Sequence, residues 1–290
     1  MPIWSSPGGD VEASLRSAGY IPDSRICTSL FLSELLGKPL LVEGPPGGSG
    51  KTELAKSVAQ STGMKLHRIQ CHEGMDYSSA FYEWNYQKQL LFLRTSEAND
   101  MDYRRVFSEE FLIKRPILES ISGGQRSVLL IDEIDRSDEE FEGMILEFLG
   151  EFQVSIPELG TIRASQRPVV IVTSNRTREL SDALRRRCIY LFLDYPDAER
   201  EVEIVMSRAA GISPSLARAA VEVTRKVRRL EGMVKKPGIS ETIDLALSMV
   251  YLGLGNPEVL ASTIAKNPED YRLVVESNVL GAADGREAVR

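Results

Sequence analysis

The chain has 290 residues, 42% of them apolar and 27% charged, with a formal net charge of -7, which is the make-up of a folded globular chain with a sizeable core. The acidic balance argues against a nucleic-acid groove as the main activity, because a phosphate backbone asks for a basic patch, and three scattered cysteines (Cys27, Cys71, Cys188) with only two histidines argue against a structural zinc site and fit reduced thiols in a cytoplasmic protein. The start of the chain lacks the basic-then-apolar order of a secretory signal, and no run of about 18 apolar residues is present to span a bilayer, although peripheral membrane contact stays open.

Residues 1–19 read as a loose leader rich in Ser, Gly and Pro. Residues 24–37 carry apolar side chains at helical spacing and stop at Gly37. Pro39 to Val42 reads as a short buried strand, followed by GPPGGSGKT (44–52) and a helical pattern over 53–63. A second strand is expected over 66–70. Between 71 and 105 the chain crowds Tyr77, Phe81, Tyr82, Trp84, Tyr86, Phe92 and Tyr103, and QLLFLR (89–94) reads as one strand of a hairpin. Residues 107–121 read as helical, with Pro116 interrupting the pattern or beginning a new turn.

Val128 to Glu133 is an apolar strand ending in two carboxylates, and a helix is expected over 137–150. Residues 168–175 form another buried strand with a polar end, and Ile189 to Leu193 a short further one. Buried strands alternating with helices predict a parallel sheet covered on both faces. From Asp194 the pattern turns to helices over 197–210, 214–230, 240–252, 256–266 and 268–278. The expected division is an α/β domain over 1–193, with an insert over 71–105, and an all-α domain over 194–290.

Gly44 to Thr52 is the most informative stretch. Strand, glycine loop and helix in that order let the backbone amides around Gly47, Gly48, Ser49 and Gly50 wrap a phosphate chain. Lys51 is then placed to neutralise the β- and γ-phosphates and the Thr52 hydroxyl to bind Mg²⁺. The spacing departs from the G-x-x-x-x-G-K-[ST] pattern: Pro45 stands where the first glycine belongs, so the loop carries one extra residue. Gly47 and Gly48 can absorb it, since glycine accepts positive φ; the alternative is a distorted cradle that binds weakly.

Asp132, at a strand end, can hold Mg²⁺ through water, and Glu133 stands where a general base would polarise the attacking water. The plainer reading of the pair is a helix N-terminal charge. Asn175 ends the next strand and can orient the lytic water, although asparagine also caps loops. Arg185, Arg186 and Arg187 follow in a row. An arginine beside a γ-phosphate stabilises transition-state charge, and in a ring it comes from the neighbouring subunit. Arg187 is the first candidate and Arg186 the second, against the alternative of a solvated basic turn.

Together GPPGGSGKT, VLLIDEID, the strand with Thr173, Ser174 and Asn175, and ALRRRC resemble the AAA+ ATPases. The aromatic-rich insert is similar to the helix-2 insert of the MoxR branch. LLVEGPPG, KTELAKS, LSDALRRRC, LDYPD and KKPGISETIDLA resemble, more narrowly, the CoxD type found beside molybdenum-containing carbon monoxide dehydrogenases. The resemblance covers residues 18–290. It implies a P-loop NTPase fold with a helical lid and an ATP- and Mg²⁺-dependent chaperone-like motor. It also implies a homo-oligomeric ring of hexameric type, a von Willebrand A-domain partner and a metalloenzyme client, here a molybdenum hydroxylase. No nucleic-acid partner is expected. AAA+ lids usually carry an arginine that reaches the nucleotide; here the matching stretch runs from Pro237 to Thr242 with Glu241 or Thr242 in its place, and Lys236 is the substitute at hand. The rival functions are a small-molecule or nucleotide kinase, a nucleic-acid-linked AAA+ ATPase and a non-hydrolysing nucleotide-binding scaffold.

Overall fold

A computed structural model describes residues 3–6, 8–95, 105–252 and 257–280. The chain divides into two compact units: Met1–Ala18, Pro22–Glu43 and Thr52–Phe192 form the first, and Gly19–Ile21, Gly44–Lys51 and Leu193–Arg290 the second.

The first unit opens with α1 (Gly9–Ser17), where a loose leader is expected. Val11 and Leu15, one helical turn apart, are fully buried, and Trp4 is buried as well; two apolar side chains on one face outweigh the Ser and Gly around them. α2 (Ser24–Leu36) starts at Asp23, whose carboxylate accepts the Ile26 N–H, and ends at Gly37 with φ 62°. β1 (Leu40–Glu43), α3 (Lys51–Thr62) and β2 (Lys65–Gln70) follow.

The insert then contributes α4 (Tyr77–Ala80), β3 (Tyr82–Trp84) and α5 (Tyr86–Thr95), and β4 (Leu112–Lys114) follows it. The expected strand over 89–94 is wrong, because those residues lie within α5. The hairpin joins β3 to β4 instead, with Tyr82 opposite Lys114 and Trp84 opposite Leu112. A short apolar run does not distinguish strand from helix. Here Gln89 decides: it is buried and donates from Nε2 to the Val106 carbonyl at 2.7 Å, while Leu90 and Leu91 stay exposed. Nor is 107–121 one helix; it holds β4 and then α6 (Pro116–Ser122), which Pro116 begins from the first turn, where its missing N–H costs nothing. Trp84 is buried with an edge on Phe107 at 5.6 Å, whereas Tyr86 is exposed. Tyr103 lies outside the described residues.

β5 (Ser127–Asp132), α7 (Glu139–Glu151), β6 (Gln153–Ile156), β7 (Gly160–Arg163), β8 (Val169–Ser174), α8 (Asp182–Arg187) and β9 (Ile189–Phe192) complete the unit. Among the described residues five strands form a parallel sheet in the order β2-β5-β8-β1-β9. Every residue of β1, β5 and β8 is buried, as a sheet covered on both faces requires. The core runs from Leu41, Leu129, Ile131 and Val172 through Phe141 and Phe148 into the insert at Phe81 and Trp84, and to Phe111 beyond it. The register sets Gln70 beside Asp132, Ile131 beside Val172, and Glu43 between Ser174 and Phe192. The polar side chains at the carboxyl ends therefore stand in one row, the edge at which ligands meet open α/β sheets.

The second unit is helical: α9 (Ala198–Arg208), α10 (Pro214–Arg228), α11 (Ile239–Leu252), α12 (Pro257–Ile264) and α13 (Pro268–Glu276). Asp197, Ser213 and Asn267 cap α9, α10 and α13 through their side chains. Val205, Val221, Leu245, Met249, Leu260 and Val274 are among the side chains that build its core. Buried polar side chains sit among these helices too, Glu201, Arg228 and Thr242 with Thr224 and Asp270.

Candidate active site

In the first unit β5 runs apolar to its last residue, and Asp132 then emerges at 2% exposure. Its Oδ1 accepts the Thr52 hydroxyl at 3.0 Å and the Thr173 hydroxyl at 2.6 Å, and its Oδ2 accepts from Arg68 Nη2 at 2.7 Å. Glu133 follows in the left-handed region (φ 56°, ψ 50°), a conformation that costs a non-glycine residue about 1–3 kcal/mol and collects at functional sites. Its N–H donates to Thr173 Oγ1 at 2.9 Å. The turn swings the Glu133 carboxylate to meet Asn175 Nδ2 at 2.9 Å on one oxygen, and Gln70 Nε2 at 2.9 Å and Arg136 Nη1 at 3.1 Å on the other.

Behind this pair Asp135 fixes the Asn175 turn. It accepts the backbone N–H of Asn175 at 3.0 Å and of Thr177 at 2.9 Å, and the Thr177 hydroxyl at 2.6 Å. Burial pushes its pKa up, but the hydrogen bonds from Thr177 and Asn175 outweigh that and hold the carboxyl below its ordinary value. Cys71, at the end of β2, has its thiol pushed up to about 12 by burial and then by the carboxylates of Asp132, Asp135 and Glu133, so it is no nucleophile at neutral pH.

Gly47, Gly48, Ser49, Gly50 and Lys51 belong to the second unit. Gly47, Gly48 and Gly50 all have positive φ (77°, 119° and 84°), so the surplus residue is taken up in left-handed backbone. The Lys51 ammonium donates to the carbonyls of Gly44 at 3.1 Å and Pro45 at 2.7 Å and to Ser49 Oγ at 3.1 Å. The loop is clasped by the start of α11 and the glycine before it: Ile239 N–H donates to the Gly48 carbonyl at 3.3 Å. A Cβ on Gly238 would lie 1.3 Å from the Gly47 carbonyl oxygen, and one on Gly48 would lie 2.5 Å from Ile239 N. Only glycine fits on either side of that contact.

The clasp is held from within the helices. Arg228 donates from Nε to the Pro237 carbonyl at 2.7 Å, grips Glu201 with both terminal nitrogens at 2.8 and 2.5 Å, and lies 4.5 Å over the Tyr195 ring. Thr242 is fully buried, its hydroxyl donated to Glu201 at 2.8 Å. The Glu241 carboxylate accepts the Gly238 N–H at 2.8 Å, and Lys236 is exposed.

The three arginines of α8 part company. Arg185 donates to Glu43 at 3.0 Å inside the first unit, whereas Arg186 and Arg187 are exposed, with Arg187 Nη1 on the Ala183 carbonyl of its own helix. The structure thus joins Thr52, Asp132, Glu133 and Asn175 directly and joins the loop residues to one another through Lys51. Sequence reasoning does not single out Glu43, Arg68, Gln70, Asp135, Thr173, Thr177 or Arg228 for roles. Glu43 has a local signal, a polar residue closing an apolar strand, and Thr173 stands in the polar end of apolar β8.

The family model described as AAA domain (dynein-related subfamily) matches residues 39–188. An uncharacterized protein of Staphylococcus epidermidis is 23% identical over 245 residues, spanning 82% of this chain and 87% of that one. A spastin homolog of Caenorhabditis elegans is 32% identical over 177 residues, which is 58% of this chain and 28% of the homolog. Among solved structures, the RuvB Holliday junction branch migration motor of Thermotoga maritima aligns over 90% of this chain and 68% of its own, with 16% identity and a TM-score of 0.45.

Proposed function

Because the chain belongs to the AAA domain family, dynein-related subfamily, we propose that it is an ATP-hydrolysing motor that works as a ring of identical copies. The carrying observation is the Glu133–Asn175 hydrogen bond of 2.9 Å beside the Thr52–Asp132 contact of 3.0 Å. The residues fit the ligands: a hydroxyl next to a carboxylate is the oxygen donor set Mg²⁺ takes, and a loop of positive-φ glycines is one whose amides turn toward phosphate.

In this reading the amides of Gly47, Gly48, Ser49 and Gly50 and the Lys51 ammonium hold the phosphates. Glu133 accepts a proton from the attacking water, and Asn175 orients that water. Mg²⁺ held by Thr52 and Asp132 would neutralise charge on the β- and γ-phosphates. Arg187 of a neighbouring copy, with Arg186 as second candidate, meets the charge that builds on the γ-phosphate. Lys51→Ala is expected to abolish nucleotide binding by calorimetry. Glu133→Gln is expected to keep binding and lower turnover by about 10²–10⁴, the range of general-base catalysis.

The kinase rival needs no arginine from a neighbour, and the nucleic-acid rival needs stimulation by DNA. The observation that favours a second reading is the surplus residue of the glycine loop. The signature of a non-hydrolysing nucleotide scaffold is tight ATP binding without phosphate release. The finer assignment is the MoxR branch of CoxD type, acting in a hexamer with a von Willebrand A-domain partner on a molybdenum hydroxylase. It is supported by the phrases LDYPD and KKPGISETIDLA. Its test is reconstitution of the apo-hydroxylase with ATP, scored as hydroxylase activity with wild type against Lys51→Ala.

A further inference from the structure

β1 has three apolar residues and then Glu43, a carboxylate with 1% exposure at the last position before the glycine loop. A buried carboxylate is tolerated only when its charge is answered, and three elements answer this one. Arg185 Nη2 of α8 donates to Oε1 at 3.0 Å. The Tyr190 hydroxyl of β9 donates to Oε2 at 3.0 Å, and Arg176 Nε stands 3.9 Å from the same oxygen. Arg176 directly follows Asn175, is in the left-handed region (φ 60°), and lays its guanidinium 5.8 Å over the Phe192 ring. One carboxylate therefore gathers the strand leading into Gly44, the turn carrying Asn175 and the short helix carrying the arginines.

We propose that Glu43 is a positioning residue for the arginine turn: by taking Arg185 out of the row of three, it fixes α8 so that Arg186 and Arg187 are offered to a neighbouring copy. The helix needs such an anchor. It is six residues long, is capped by Ser181 through a 3.3 Å bond to the Leu184 N–H, and buries Leu184. The charge-assisted bond of Arg185 Nη2 to a buried carboxylate, with its Nε on the Leu180 carbonyl at 3.4 Å, sets the rotation of the helix about that one apolar contact. This rests on the ring ATPase reading above.

The test separates the two. Glu43→Gln keeps the volume and removes the charge. Its turnover at saturating ATP is expected to fall about tenfold or more, while half-saturation by ATP moves less than about threefold, the split of a lost transition-state contact rather than a lost ground-state one. Mixed in equal amounts with Glu133→Gln, which lacks the base but carries an intact arginine turn, the Glu43→Gln protein is expected to recover activity above the sum of the two alone. Arg185→Met, at a partly exposed residue, is expected to give the same slow turnover and the same rescue, and it carries the test if Glu43→Gln does not fold. Turnover within about twofold of wild type in both variants overturns the proposal, as does slow turnover that mixing leaves unchanged. A wild-type rate in the Arg186→Ala, Arg187→Ala double variant would instead sink the ring reading, whatever Glu43 does.

Discussion

The carboxylate row at the ends of β5 and β8 and the glycine loop with its clasp are built on opposite principles. Asp132, Glu133 and Asp135 are aimed by side chains: Thr52, Thr173, Asn175, Gln70 and Thr177 each give one or more hydrogen bonds. The loop is shaped by backbone and by missing Cβ atoms, with Gly238 against Gly47 and Gly48 against Ile239. A region of many replaceable hydrogen bonds loses about 1 kcal/mol at a time. A region where backbone lies against backbone has no slack, so substitutions there act nearly all-or-none. In the proposed function, the same contrast separates tuning the chemistry from admitting the nucleotide.

The largest effect is expected behind the clasp. Arg228→Met leaves Glu201 buried without its partner, and breaking such a pair costs about 3–5 kcal/mol; a fall in melting temperature, together with lost nucleotide affinity, would place the clasp under Arg228 control. Unchanged affinity at a lowered melting temperature would detach the clasp from it. Gly238→Ala comes next, at about 1–3 kcal/mol for an overpacked site, with lost ATP binding by calorimetry. Gly123→Ala is the matched control, since its Cβ meets nothing within 4 Å and its φ is -81°. Equal behaviour of the two variants would break the comparison.

On the carboxylate side the effects shrink. Thr177→Val removes hydroxyl bonds to the Asp135 carboxylate and carbonyl and is expected to cost about 1–3 kcal/mol in urea unfolding at pH 7. Because the folded state holds the Asp135 pKa below its ordinary value, its stabilisation is present above that ordinary value and is lost as pH falls through the depressed one; the variant should flatten this acid limb. The smallest effect concerns His67 on β2. Burial lowers its pKa from 6.5, partly offset by the hydrogen bond to Glu119, so the unfolded chain takes the proton more readily and stability falls as pH drops through 6.5. His67→Gln is expected to remove that slope in melting curves between pH 8 and pH 5, a range of about 3 units around the histidine pKa.

The contrast also sets what a reader of the sequence can see. The strands β1, β5 and β8 announce themselves as apolar runs with polar ends, and GPPGGSGKT, Asp132, Glu133 and Asn175 sit on those ends. What escapes is whatever depends on distant partners. Glu43 meets Arg185 and Arg228 meets Glu201 across 142 and 27 positions; the polar end of β1 marks Glu43, but nothing local names either partner. The hairpin β6–β7 escapes for a different reason: the chain leaves α7 through Phe152 at φ 52°, where a glycine would ordinarily signal the turn. In α5 the residues QLLFLR form a short apolar run that length alone does not assign, and its leucines, glutamine and arginine are good helix formers.

In the proposed function each catalytic end is completed by an arginine from another copy. The most direct test is ATP turnover per chain measured against protein concentration, for wild type and Arg187→Ala. A steep rise with concentration that the substitution abolishes is the result expected. A rate per chain that stays constant on dilution, and that Arg187→Ala leaves untouched, would contradict it.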